Sequence, residues 1–355
     1  VISHLRLLRS RRVGPVTYRR LLAEYGTAAE ALHALPDIAR AAGVQDYTIC
    51  PIGVIHAELQ AGKAAGARLI WDSDGLYPAA LHDIADAPAL LWCLGQTALL
   101  TRPMVALVGA RNASSLGGRM ARKLAGDLAD AGYVVVSGLA RGIDAAAHLG
   151  ALAGGTLAVQ AGGVDVIYPV ENTQLAHDIA KQGLRIAEMP MGLQPQARHF
   201  PARNRIISGI AQAVVVVEAA ARSGSLITAR NALDQARDVL AVPGHPFDAR
   251  AAGCNMLLRD GATLVRSADD VLEALAPKPV ETMLPQQAQP SRPALRNIAA
   301  LHAMILQRLG PAPLAEDQLL RDLAVAATDV APALVDLELD GKITRQAGGL
   351  LARAV

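Results

Sequence analysis

The chain has 355 residues, too many for one compact domain, so two or three are expected. Apolar residues make up 52% and charged residues 19%, enough to bury a substantial core, while aromatics are only 3%. A net charge of +2 excludes a uniformly basic DNA-coating protein but leaves room for a local basic patch.

The three cysteines, Cys50, Cys93 and Cys254, are far apart and form no C-x-x-C pair. Neither a disulfide framework nor a zinc site is expected, which fits a reducing cytosol. The nine histidines are scattered without metal-ligand spacing, so no cofactor is expected. The opening VISHLRLLRSRR has no long apolar region and no cleavage pattern, so a cytoplasmic protein without a secretory signal is expected. The missing initiating Met suggests a trimmed chain. The most apolar run, AQAVVVVEAAA, is short and carries Glu218, so it cannot span a bilayer and no membrane partner is expected.

Residues 1–70 carry apolar positions at helical spacing in HLRLL, TYRRLLAEY and AAEALHAL, interrupted by VGPV at 13–16. They predict a small all-helical domain. Residues 71–275 alternate strand-length apolar runs (MVALVG, YVVVS, TLAVQA, LRIAE, AVVVVE, DVLAVPG, ATLVR) with amphipathic helices. That alternation predicts a parallel sheet covered on both faces, a doubly wound, Rossmann-like α/β core. Residues 276–293 hold five prolines and read as an extended linker. Residues 294–355 read as three helices and two short strands, ITR and LLA, around Gly348-Gly349, the pattern of a winged helix.

In such a sheet ligands sit beyond the carboxyl ends of the strands. Four segments there are polar. VGARNASSLGG at 108–118 offers Arg111, Ser114 and Ser115; SGLARGIDAAAH at 137–148 offers Ser137, Gly138 and Arg141. HFPARNRIISG at 199–209 reads as a loop with Arg203 and Arg205, and EAAARSGSLITA at 218–229 places Ser223, Gly224 and Ser225 at a helix start. Glycine and hydroxyl residues at helix starts bind phosphate oxygens, and arginine adds bidentate hydrogen bonds. Each segment alone also fits ordinary helix capping or a surface charge. Together they predict a polyanion pocket. Phe200 beside Arg198, Arg203 and Arg205 fits a stacking platform for an unpaired base, or core packing beside Pro201. No G-x-G-x-x-G follows the first strand and no Walker loop is present, so nucleotide hydrolysis is not expected.

These segments together resemble the DprA (Smf) family of DNA-processing proteins. The resemblance extends through YPAALHDIADAPALLWCLG at 77–95, AGGVDVIYPVEN at 161–172, the stretch 199–244 and GCNMLLRDGATLV at 253–265. It implies an extended Rossmann fold that binds single-stranded DNA in a basic pocket. It further implies protection of incoming DNA during natural transformation, loading of the recombinase RecA, and a homodimer formed through the Rossmann domain. A helical SAM-like or helix-hairpin-helix-like domain in front and a winged helix behind are also implied. On the residues, the resemblance assigns DNA contacts to Arg141, to Arg203, Asn204 and Arg205, to Phe200, and to Arg198 as the basic residue ahead of it. VGPVTYRRLL has one turn glycine, Gly14, where a helix-hairpin-helix has two; Arg11, Arg12, Arg19 and Arg20 flank it.

Two other classes compete with a non-enzymatic DNA-binding mediator. One is a nucleotide-processing enzyme of the phosphoribohydrolase type, for which Glu188 and Glu218 at strand ends could serve as acids. The other is a transcription factor acting through the winged helix. Its recognition helix, TDVAPALVDLELD at 328–340, carries Asp329, Asp336, Glu338 and Asp340 and no Lys or Arg, which disfavours duplex binding.

Overall fold

The computed structural model describes residues 1–276, 298–346 and 348–354. They form two compact units, 1–276 and the part of 277–355 that is described. The proline-rich stretch 276–293 lies outside the described residues, apart from Ala276.

The first unit opens with four helices: α1 (Ile2–Arg9), α2 (Pro15–Tyr25), α3 (Ala28–Ala41) and α4 (Ile52–Ala64). Pro15 opens α2, where its missing N–H costs nothing, and Gly26 ends it at φ 77°. Thr27 caps α3 by accepting the Glu30 N–H at 3.2 Å.

Nine strands follow: β1 (Arg68–Trp71), β2 (Leu90–Gly95), β3 (Met104–Gly109), β4 (Val134–Ser137), β5 (Thr156–Val159), β6 (Leu184–Ala187), β7 (Ala213–Glu218), β8 (Asp238–Ala241) and β9 (Thr263–Leu264). Their order in one sheet is β1-β2-β6-β5-β4-β3-β7-β8-β9. Neighbours from β6 to β9 pair in parallel, whereas β2 is antiparallel to both β1 and β6. The seven runs read from the sequence are the seven parallel strands. The antiparallel β1–β2 edge was not anticipated, because RLIW and LLWCLG lack an intervening helix pattern.

All six residues of β7, AVVVVE, are buried, as a strand covered on both faces requires. Side chains alternate between two cores. Val108, Val136, Val214 and Val216 face α8 (His199–Ile210), α9 (Ser225–Asp234) and α10 (Ala252–Arg259). Leu107, Val135 and Val215 face α5 (Ser115–Asp130), α6 (Ile143–Ala151) and α11 (Ala268–Leu275). The remaining helix, α7 (Thr173–Gln182), packs with Leu139 and Ala158. The segment 199–209, expected as a loop, is instead most of α8. Ile206, Ile207 and Ile210 supply a buried helical face that the basic first half of the segment conceals.

The chain winds outward from β3 to β6, then returns to lay β7 beside β3 and winds the other way to β9. The switch point therefore opens at the carboxyl ends of β3 and β7, where a crevice must form.

The helical module is seated on the antiparallel edge. Leu5, Ile55, Leu90, Trp92, Val164 and Ala187 share one apolar cluster. Gly62 of α4 lies against the Trp92 ring so closely that a Cβ there would overlap it. Within this cluster Glu58 is buried and accepts two hydrogen bonds from Arg9, Nη2 at 2.7 Å and Nε at 3.0 Å. It also accepts the indole N–H of Trp92 at 2.8 Å. Arg9 continues to the backbone oxygen of Glu188 at 3.3 Å, past the end of β6.

The second unit contains α12 (Ile298–Arg308), β10 (Leu314–Ala315), α13 (Glu316–Leu323), α14 (Ala327–Leu339), β11 (Ile343–Gln346) and β12 (Leu350–Arg353), with sheet order β10-β12-β11. This is a winged helix. Gly348 and Gly349 both take positive φ, 88° and 73°, in the turn between the wing strands. The third strand, β10, is two residues long and too short to leave a periodicity.

Replacing Glu58 with Ala should destabilise the first unit by about 2–4 kcal/mol, since Arg9 keeps its charge and loses its partner. Denaturant unfolding followed by tryptophan emission measures this directly, because Trp92 is one of the groups bonded to Glu58; a loss under about 0.5 kcal/mol would mean that water replaces the network freely.

Candidate nucleic-acid interface

A cavity of about 890 Å³ occupies the crevice at the switch point. Its wall is built from residues that follow five different strands: Ala110–Asn112 after β3, Ala140 and Asp144 after β4, Tyr168 after β5, Phe200 after β6, and Arg222–Ser225 after β7. Arg250, from the segment after β8, also lines it. Four arginines (Arg111, Arg203, Arg222, Arg250) and one carboxylate, Asp144, face this space. The imbalance gives the space a positive potential, which favours an anion over a cation.

The floor is set by Arg203, which is 5% exposed. Its Nη1 donates to the Val159 carbonyl at 3.0 Å, at the end of β5. The guanidinium fills the volume above Gly138, where any Cβ would overlap it. Burial pulls the Arg203 pKa down to about 10, with Asp144 opposing. Arginine still keeps its proton at neutral pH. Burial also pushes the Asp144 carboxyl above its ordinary range, against Arg203 and the backbone amides that hold it. Those amides belong to Gly138 at 3.1 Å and Ala140 at 3.3 Å. Between them Leu139 sits at φ 54°, a left-handed conformation disfavoured for a side chain of that size. Asn172 holds the turn from the other side by donating to the carbonyls of Leu139 and Ala140. The Nε of Arg203 is buried with no hydrogen-bond partner in the described chain.

Above the floor stands Phe200, half-buried and lining the cavity. Its ring contacts Tyr168 at a centroid distance of 5.6 Å, and the Arg111 guanidinium lies 5.1 Å from its centroid. It is therefore neither packed in the core nor free, but a wall whose face is set by two neighbours. Asn204 follows it on α8 and also lines the cavity. At the start of α9, Ser223 and Ser225 share a hydroxyl hydrogen bond of 2.7 Å beside Gly224, and all three line the cavity. The N–H groups of Leu226 and Ile227 donate to the carbonyls of Ser223 and Gly224 at 3.1 and 3.2 Å, so at this helix start it is the serine hydroxyls and Gly224 that border the space.

Other sequence-predicted residues stand elsewhere. Arg205 lies two residues beyond Arg203; on a helix that spacing turns it about 200° away. It bonds Glu188 at 2.6 Å and Asp86 at 3.2 Å and does not line the cavity. Ser137 is fully buried and donates to the Leu107 carbonyl at 2.6 Å. Ser114 caps α5, accepting from the Gly117 N–H, while its own N–H and hydroxyl donate to Glu218 at 2.9 and 2.5 Å. The Gly138 amide is taken by Asp144. Arg141 is 60% exposed, pairs with Glu171 at 3.5 Å and lines a smaller cavity of about 190 Å³ that shares Arg111, Tyr168 and Phe200 with the first. Arg198 is exposed, its Nε 3.3 Å from the His199 ring. Three contributors were missed: Arg222, Arg250 and Tyr168. Arg222 directly precedes the serine-glycine helix start and could have been found there. Arg250 and Tyr168 lie in segments with no phosphate-binding pattern of their own.

No helix among the described residues is long and apolar enough to cross a membrane, and no group of three or more His, Cys, Asp or Glu among them could hold a metal ion.

Comparison with known proteins points the same way along the whole chain. Residues 68–276 match the family model described as DNA recombination-mediator protein A. Residues 1–61 match a DprA-like N-terminal HHH domain and residues 287–349 a DprA winged helix domain. DNA processing protein DprA of Streptococcus pneumoniae is 47% identical over 201 residues, covering 56% of this chain and 71% of that protein. Protein Smf of a Synechocystis species is 34% identical over 322 residues, covering 82% and 81%. Among solved structures, DNA processing protein A from S. pneumoniae matches with a TM-score of 0.61 at 37% identity, over 74% of this chain and 98% of that one. DNA processing protein A from Helicobacter pylori, described for its single-stranded DNA binding mode, matches with a TM-score of 0.55 at 30% identity, over 59% and 95%. The three domain matches, in the family's order and on the fold just described, show that this chain belongs to the DprA/Smf family.

Proposed function

We propose that this protein binds single-stranded DNA across the crevice at the sheet switch point and serves as a non-enzymatic mediator of DNA processing in transformation. The observation that carries this reading is the cavity wall: four arginines and a helix start for phosphates, beside an aromatic face for a base. The H. pylori relative, whose description names single-stranded DNA binding, supports it. Arg111 and Arg222 are the direct phosphate contacts, because both are exposed at the cavity and, unlike Arg141 and Arg250, neither is in an ion pair among the described residues. Arg203 lies beneath these contacts as a buried positive charge. Asn204, Ser223, Gly224 and Ser225 complete the contact surface, and Arg141 and Arg198 extend it toward the smaller cavity and the α8 start. Ser114, Ser137, Gly138 and Arg205 act by holding the frame. In the cell the bound strand is shielded and handed to the recombinase RecA.

The enzymatic alternative is less well supported. Its two candidate acids are engaged within the protein, Glu188 with Arg205 and Glu218 with Ser114, and neither lines the cavity.

A homodimer through the Rossmann core belongs to the same proposal. The sheet ends in β9, two residues long with both side chains exposed, so an edge stands open. Met256 and Leu264 are partly exposed there, and Met256 lines a neighbouring cavity of about 650 Å³. A chain ending at Ala276 should remain a dimer by light scattering; a monomer would move the interface to the second unit.

Arg111→Ala or Arg222→Ala should weaken single-strand binding about tenfold and lower the salt slope by roughly one counterion each. Arg205→Ala should instead lower stability by about 2–4 kcal/mol, leaving Glu188 without its cation, and leave the salt slope of the folded fraction unchanged. Fluorescence anisotropy with labelled oligothymidylate at several salt concentrations, beside denaturant melts, separates the two. A parent-like Arg111→Ala/Arg222→Ala double variant would put the DNA elsewhere.

The winged helix is proposed as a protein-contact unit. In the wing, Lys342 pairs with Asp340 at 2.9 Å and Arg345 with Glu316 at 2.6 Å, so its cations are already balanced by carboxylates. Substituting both Lys342 and Arg345 with Ala in the full chain should leave duplex affinity within about twofold of the parent; a clear drop in a gel-shift titration would make the wing a DNA contact.

A further inference from the structure

The segment between β8 and α10 presents a side chain that packing does not explain. Phe247 is 95% exposed, more than any other large apolar side chain among the described residues. Its one ring contact is His245, at a centroid distance of 5.5 Å and a tilt of 37°. Yet the loop that carries it is tightly tied. Gly244 exchanges two hydrogen bonds with the Asn255 side chain, at 3.2 and 3.0 Å. The Asp248 N–H donates to the His245 carbonyl at 2.9 Å, closing a turn around Phe247. The Asp248 carboxylate accepts from the Arg250 N–H at 2.9 Å and from its Nε at 3.3 Å. An ordered turn thus holds an aromatic pair in solvent, three residues from an arginine that lines the main cavity.

The placement along the sheet matters. Phe200 contacts Tyr168, which follows β5, whereas Phe247 follows β8. The order β5-β4-β3-β7-β8 puts four strand spacings between those positions, roughly 19 Å. The arginines of the cavity lie along that span. The neighbours of Phe247 along the turn are His245, Pro246 and Asp248, which do not extend it into an apolar run.

We propose that Phe247, flanked by His245, is a second stacking platform for an unpaired base, at the β8 end of the trough that Phe200 occupies at the β5 end. This rests on the single-stranded-DNA reading of the cavity. A strand crossing the trough is then held by stacking at both ends and by phosphate contacts between them. Phe247 adds affinity only for strands long enough to reach it.

The test uses the full-length protein and labelled oligothymidylates of about 4 and about 16 nucleotides, the range over which single-strand sites are sized. Phe247→Ala should weaken binding of the longer strand about fivefold or more, with an unchanged salt slope, and leave the shorter strand unaffected. Phe200→Ala should weaken both. Phe247→Trp, which keeps a stacking face, should bind the longer strand at least as well as the parent. Parent-like affinity of Phe247→Ala for the longer strand overturns the proposal, and so does an equal loss at both lengths. A change in oligomeric state by light scattering also overturns it, by making Phe247 a subunit contact. Failure of the parent protein to bind either strand is a different result: it removes the single-strand reading itself.

Discussion

The Arg203 guanidinium lies in the interior with one hydrogen bond to the Val159 carbonyl and the field of Asp144 beside it. A buried charge so lightly partnered is tolerated only where the surroundings are built for it. Gly138 leaves the space it occupies. Asp144 balances it, and is itself held by the amides of Gly138 and Ala140 through the left-handed Leu139. The turn after β4, the end of β5 and the first half of α8 thereby share one electrostatic knot. Phe200 and Asn204 above it are carried by α8, one of the elements that this knot joins.

The other constraint is topological. A sheet that winds outward from its centre in two directions must leave a crevice where the directions part, and here that point lies between β3 and β7. The sequence supplies the crevice with arginines and a serine-glycine helix start rather than with a glycine-rich nucleotide loop. Fold and chemistry are thus separable: the crevice follows from strand order, while its cationic lining follows from Arg111, Arg203, Arg222 and Arg250.

Much of this was legible beforehand. The seven parallel strands stood out because buried strands are continuous apolar runs, and β7 is the extreme case. The pocket's location followed from strand order. What failed was orientation. Arg203 and Arg205 share a short segment, but that segment is helical, so they face opposite ways, one to the cavity floor and one to Glu188 and Asp86. Ser114 and Ser137 were assigned to the polyanion pocket; Ser114 does cap α5, as its place before a helix allows, but the two hydroxyls are engaged with Glu218 and the Leu107 carbonyl. A linear reading identifies which groups sit near a strand end but not which of them an internal partner has already claimed. Arg250 and Tyr168 escaped for the converse reason, since only the fold brings their segments to the cavity.

The seating of the helical module on Trp92 changes what a domain means in this chain. Sequence families divide the chain between residues 61 and 68. The physical seam is elsewhere: α4 presses Gly62 onto the Trp92 ring, and Glu58 accepts the indole N–H of that same tryptophan. Cutting at the family boundary would strip the cover from Leu90 and Trp92 and leave an aromatic sheet edge facing water. Residues 1–61 have a cluster largely of their own, yet their packing runs on across the family boundary, so shuffling them between relatives would preserve it only where the recipient offers the same tryptophan-bearing edge.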